Sequence, residues 1–123
     1  MSDQVQLDFV TSSQRVQVLV DGVKVADTSS PLLVLEGALP TRYYIPIADV
    51  DRQYLAPVDT QTHCPYKGNA RYYNVVVRGE IYDNAAWYYP DPIAAAPLLK
   101  GAIAFWPEKD PRIQVLVDEK ITN

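Results

Sequence analysis

The stretch Thr62-His63-Cys64-Pro65-Tyr66-Lys67-Gly68 holds the most reactive chemistry in the chain. Proline biases the residue before it toward extended backbone, and glycine at 68 permits a sharp turn. A thiol held there near an ammonium would favour its thiolate form. Cys64 is therefore a candidate nucleophile or redox centre, tuned by Lys67. His63 is the sole histidine, but neighbouring side chains on an extended chain point apart. Without a second histidine to act as base, the alternative is that Cys64 is a small buried apolar residue.

The second concentration of chemistry is aromatic. Tyrosine supplies nine of the aromatic residues, with doublets at Tyr43-Tyr44, Tyr72-Tyr73 and Tyr88-Tyr89. On a strand each doublet sends one ring to each face. Up to three rings would then converge, with Trp87 or Trp106, into a cage for a small planar or cationic ligand. The alternative is ordinary core and rim packing, for which tyrosine is well suited. Lys67 and Arg71 are candidate anchors for a ligand carboxylate or phosphate, or else solvated side chains paired with a nearby acid. Together these features predict one concave site formed by Tyr44, Cys64, Lys67, Trp87 and Tyr89, with Cys64 its catalytic residue if it is an enzyme.

Other chemistries find little support. One cysteine and one histidine cannot complete a structural zinc site. Asp49, Asp51, Asp59 and Asp83 lack the spacing of a calcium loop. There is no phosphate-binding glycine loop, nucleophile elbow or zinc helix. No metal or cofactor is implied, and folding is expected to survive chelation. The formal net charge of -4 repels phosphate backbones, so nucleic acid is not an expected partner. The most apolar run, Ile93 to Leu99, is too short to span a bilayer and contains Pro97. Met1-Ser2-Asp3-Gln4 does not open a secretory signal. With a single cysteine and no intrachain disulfide, the expected location is the cytosol.

The elements that must position these residues are short strands. With 123 residues, the chain is long enough for one domain with its own core, expected over about residues 15–118. Residues 15–21 read R-V-Q-V-L-V-D, and Asp21-Gly22 followed by Val23-Lys24-Val25-Ala26 signals a tight hairpin. Strands are also expected at Leu32–Leu35, Tyr43–Ile45, Ala70–Arg78, Ala102–Trp106 and Ile113–Val117. Ala48 to Ala56 is either a helical turn or a strand, and Val58 to Gly68 is expected to be irregular. Asp91-Pro92 reads as a cap and first turn of a short helix ending near Lys100. Residues 112–118, R-I-Q-V-L-V-D, echo residues 15–21. The echo marks either two similar half-buried strands or two strands that meet, with each other or at a dimer seam. Ten prolines punctuate the strands, and the pattern predicts a mainly β fold of two packed antiparallel sheets with one short helix.

Three motifs occur in order: Tyr43-Tyr44-Ile45-Pro46 with Asp49-Val50, then Thr62-His63-Cys64-Pro65-Tyr66-Lys67-Gly68, then Trp87-Tyr88-Tyr89-Pro90-Asp91-Pro92. On these the chain resembles the domain of unknown function 427 family from about Val16 to Val117. Tyr73 stands where tryptophan is common. The resemblance implies a β-tent fold, in which two antiparallel sheets lean together, similar to methionine-R-sulfoxide reductase and the thalidomide-binding domain of cereblon. Those relatives commonly hold zinc with cysteines. This chain lacks the set, so neither zinc nor reductase activity transfers. A nucleotidyltransferase label attached to the family lacks its Gly-Ser motif and paired aspartates here.

Three functions remain open. The first is a domain that binds a small molecule in an aromatic pocket near the Cys-Pro-x-Lys-Gly loop. The second is an enzyme using Cys64. The third is a structural module, possible as a homodimer through an exposed sheet edge.

Overall fold

Positive φ angles at Asp21 (50°) and Gly22 (77°) make the turn that joins β2 (Val16–Val20) to β3 (Val23–Thr28), as Asp-Gly between apolar strands requires. In this computed structural model, which describes residues 7–122, the hairpin is joined by β10 (Ile113–Val117) and β11 (Lys120–Ile121). The four form an antiparallel sheet with the order β11-β10-β2-β3. A larger sheet contains β1 (Leu7–Thr11), β4 (Leu32–Glu36), β5 (Arg42–Pro46), β6 (Leu55–Cys64), β7 (Gly68–Val77), β8 (Glu80–Tyr88) and β9 (Ala102–Phe105). Its seven strands run in the order β1-β4-β5-β9-β8-β7-β6, again antiparallel throughout. The mainly β, two-sheet architecture is the expected one. The reading of Met1 to Gln4 lies outside the described residues.

The two echoing segments pair with each other. Val18 lies opposite Val115, and Val20 opposite Ile113. The ladder is extended by the Asp21 N–H to the Arg112 carbonyl (2.9 Å) and the Asp118 N–H to the Arg15 carbonyl (2.8 Å). Because side chains alternate, Val16, Val18, Val20, Ile113 and Val115 all turn to one face and are buried.

That face packs on the inner face of the large sheet, where Ile45, Val75, Val77, Ile103 and Phe105 complete the main core. The outer face of the large sheet is also buried at its centre. There Leu32, Val34, Tyr44, Ala70, Ala102 and Ala104 pack with Tyr89, Ala96 and Leu99. Strand β9 is consequently buried at all four residues. Its outward positions are alanines, leaving room for large rings on the neighbouring strands.

The short helix expected from Asp91 to Lys100 does not form. The segment holds only a 3-10 turn at Pro97–Leu99, because Pro97, in the expected second turn, cannot donate to an α-helical ladder and pushes Ala96 away from helical backbone. Val58 to Gly68, expected to be irregular, is mostly β6. That strand lies at a sheet edge with much of its length exposed, so it lacks the apolar alternation that marks a strand. Two 3-10 turns, Ile47–Asp49 and Arg52–Tyr54, precede it. Edge strand β1 lies before the expected core boundary. No helix among the described residues is long and apolar enough to cross a membrane.

One ionic cluster fastens the small sheet. The Arg15 guanidinium donates to both carboxylate oxygens of Asp27, at 3.0 and 2.8 Å, and Lys24 adds a contact of 3.0 Å. The Arg15 hydrogen bond leads in holding Asp27 at about 2 instead of the usual 3.8. A carboxylate depressed in the folded state stabilises above its unfolded pKa and stops doing so as pH falls through its folded value. The melting temperature should therefore decline as pH drops from about 4 to about 2, and Asp27→Asn should flatten part of that decline. Thermal melts across that range would check this, and equal acid slopes in both proteins would refute it.

Candidate functional site

The parity of the tyrosine doublets builds the site. Tyr43, Tyr73 and Tyr88 pack against the inner core, and Tyr44, Tyr72 and Tyr89 against the outer one. The β7–β8 register shifts by two residues around Asn74 and Asn84, which preserves the alternation and keeps Trp87 on the outer face. Cross-strand pairing places Tyr44, Ala104, Trp87 and Tyr72 in one row. Ala104 separates the two larger rings without filling the space between them. Trp87 Nε1 donates to the Tyr44 hydroxyl at 3.1 Å. The Tyr44 and Trp87 rings meet edge to face at 6.3 Å, with Tyr72 at 6.4 Å from Trp87 and Tyr89 at 6.5 Å from Tyr44.

Above this row lies a groove of about 440 Å³. Trp87 and Tyr44 form its aromatic wall with the exposed Trp106, and Lys67, Arg42, Glu36 and Glu108 bring charge. Lys67 Nζ is 2.9 Å from Glu36 Oε1, and Arg42 Nη1 is 2.9 Å from Glu108 Oε1. The Arg42 guanidinium also lies 5.2 Å from the centre of the Trp87 ring. Burial pulls the Lys67 ammonium down, but Tyr44 and Glu36 outweigh it and its pKa is raised. Burial pushes the Tyr44 phenol up against the opposing pull of Lys67 and Arg42. The site thus presents a firm cation and a protonated phenol at neutral pH.

Lys67 is placed by its loop. The Lys67 N–H donates to the Cys64 carbonyl (3.2 Å), and the Lys67 carbonyl accepts from the Ile93 N–H (2.9 Å). Gly68 adopts φ +122°, and a Cβ there would lie 3.2 Å from the Asp91 carbonyl oxygen and 3.3 Å from Pro92 Cα. The turn between β6 and β7 is therefore docked on the segment after Pro90, and glycine is what permits the approach.

Of the five residues expected to share one concavity, Tyr44, Lys67 and Trp87 line this groove. Tyr89, 5% exposed, stands behind Tyr44 and lines a smaller hollow with Tyr73, Tyr88 and Arg52. Cys64 is half-buried against the outer apolar cluster and does not line the groove. His63 does not line it either, and is exposed and bonded through Nδ1 to Asn69 Oδ1 at 2.7 Å. Arg71 is exposed on β7. Arg42, Glu36 and Glu108 were not anticipated. Arg42 carries a readable signal, since two residues before Tyr44 on a strand means the same face. Glu108 lies beyond β9, with no periodicity to place it.

A model of the family described as domain of unknown function (DUF427) matches residues 8–119. The chain belongs to that family. No curated protein matches it. In this DUF427 domain, two of the motifs that carried the resemblance touch each other, since the Lys67-Gly68 turn rests on Asp91, Pro92 and Ile93. The remaining one supplies Tyr44, whose hydroxyl oxygen accepts a hydrogen bond from Trp87 Nε1. The motifs thus converge on one groove wall.

Trp87 is half-buried, so Trp87→Ala in this DUF427 domain should cost about 2 kcal/mol, less than the roughly 3–5 kcal/mol of a fully buried ring. Urea unfolding would measure it, and a loss below about 1 kcal/mol would mean the indole does not support the fold.

Proposed function

We propose that this domain binds a small molecule with a flat apolar part in the groove above Tyr44 and Trp87. One observation carries the proposal: segments far apart in sequence bring Tyr44, Lys67, Trp87 and Arg42 around one concavity. Its size falls in the range of small-ligand pockets, and it combines aromatic surface with a few placed polar groups. The loop bearing Lys67 is constrained by Pro65, by Gly68 and by docking on residues 91–93, so little ordering entropy remains to be lost on binding. A cage for a simple cation fits less well, because Arg42 already lies over Trp87 and Lys109 lies 5.3 Å from the Trp106 ring centre. A reducing cytoplasmic setting suits the lone, half-buried Cys64.

A panel of soluble metabolites tests this by tryptophan fluorescence and thermal shift. At least one compound should quench the emission and raise the melting temperature, and Lys67→Met and Tyr44→Phe should each weaken its binding. If no compound shifts either signal, or if hits bind both variants as tightly as the parent, the groove is not a binding site.

A further inference from the structure

Resting on the groove reading above, we propose that its ligand is a zwitterion of the α-amino-acid class, bearing an ammonium, a carboxylate and a flat apolar side chain. The groove is lined by two cations and two carboxylates, already matched as Lys67–Glu36 and Arg42–Glu108. The first pair is well shielded, with side-chain exposures of 13% and 25%. The second is more open, at 28% and 49%.

This pairing discriminates among ligand charges. A simple anion must draw Lys67 or Arg42 away from its carboxylate and leave that carboxylate unpaired in a partly desolvated place. Stranding one partner of such a pair is costly. A simple cation strands Lys67 or Arg42 in the same way, and each indole already has a cation of the protein against it. A zwitterion enters a pair and leaves nothing stranded: its carboxylate takes the cation, and its ammonium takes the released carboxylate. The same logic makes selectivity a matter of unpaired groups in the wrong complex.

Tyr44 fixes the orientation. Its oxygen accepts the Trp87 indole N–H and, as the neighbouring Tyr89 hydroxyl also donates to it, its own proton can turn to a ligand oxygen. Lys67 and Arg42 both act on this phenol through space. A ligand carboxylate at the Tyr44 hydroxyl therefore meets one neutral donor and two cations, and the carboxylates paired with those cations, Glu36 and Glu108, are left for the ammonium. The flat side chain then lies toward Trp87 and Trp106, within the approximately 440 Å³ available.

Isothermal titration at low salt with three probes sharing one ring tests the proposal: phenylalanine, 3-phenylpropionate and 2-phenylethylamine. Phenylalanine should bind at least about tenfold more tightly than either singly charged analogue. In Glu36→Gln the groove gains net positive charge, so 3-phenylpropionate should improve about tenfold relative to phenylalanine. Glu108→Gln, at a more exposed position, should move the preference the same way and serves if Glu36→Gln fails to fold. Equal or tighter binding of a singly charged analogue to the parent protein overturns the zwitterion and leaves the groove reading standing. An unchanged preference in the glutamine variants overturns it too. If none of the three probes binds, the zwitterion proposal falls, and the metabolite panel alone then decides the groove reading.

Discussion

Gly68→Ala is expected to cost about 2–4 kcal/mol of folding stability. Two penalties combine at this residue. Its φ of +122° is a conformation that side chains with a Cβ rarely adopt, and the new methyl would press on the Asp91 carbonyl and Pro92 Cα at 3.2 and 3.3 Å. Both contacts are backbone, so neither can swing away like a flexible side chain. Gly22→Ala separates the two penalties. Gly22 also has positive φ, +77°, but nothing lies within 4 Å of where its methyl group would sit. That variant should lose only about 1 kcal/mol. Urea unfolding of both proteins would show the difference, and equal losses would mean the turn does not depend on its close approach to residues 91–93. In the groove, Gly68→Ala should also weaken binding, since it displaces the loop that carries Lys67.

Leu99→Ala should be comparably severe, at about 3–4 kcal/mol. Leu99 is 0% exposed and packs with Tyr44, Tyr89 and Ala104 on the outer face of the large sheet. It anchors a connection that has only one 3-10 turn of regular structure, so packing supplies most of its order. Its neighbour Leu98, 53% exposed, is the control: Leu98→Ala should change stability by less than about 0.5 kcal/mol. Denaturant melts of the pair would decide, and similar losses would show that residues 89–101 do not cover the sheet through Leu99.

What the sequence disclosed, and what it withheld, depends on where each element lies. Asp21-Gly22 was legible because the hairpin chemistry is local. The tyrosine doublets were legible because alternation on a strand is geometric, and each doublet did divide between the two cores. Strand β6 was obscure because an edge strand with both faces largely wet carries no apolar period. The Asp91-Pro92 cap signal misled because a cap describes only the first turn, while Pro97 interrupts the next one. Three members of the expected site were found from their types, but their common concavity depends on sheet order. Strand β9 enters between β5 and β8, and nothing local announces that Ala104 will separate Tyr44 from Trp87. The partners Glu36 and Glu108 were equally hidden, since each meets its cation only through the folded sheet.

The pairing of β2 with β10 has a kinetic consequence. It joins Val16–Val20 to Ile113–Val117, so the small sheet, and with it one wall of the main core, closes over all the strands of the large sheet from β4 to β9. Such non-local topologies fold in milliseconds to seconds, not microseconds. During synthesis on a ribosome the large sheet can be complete while Val16, Val18 and Val20 still await their partner strand. Until Ile113 to Val117 emerge, the nascent domain must carry an apolar face open to water, which makes the interval before β10 appears its period of greatest exposure to chaperones and to aggregation.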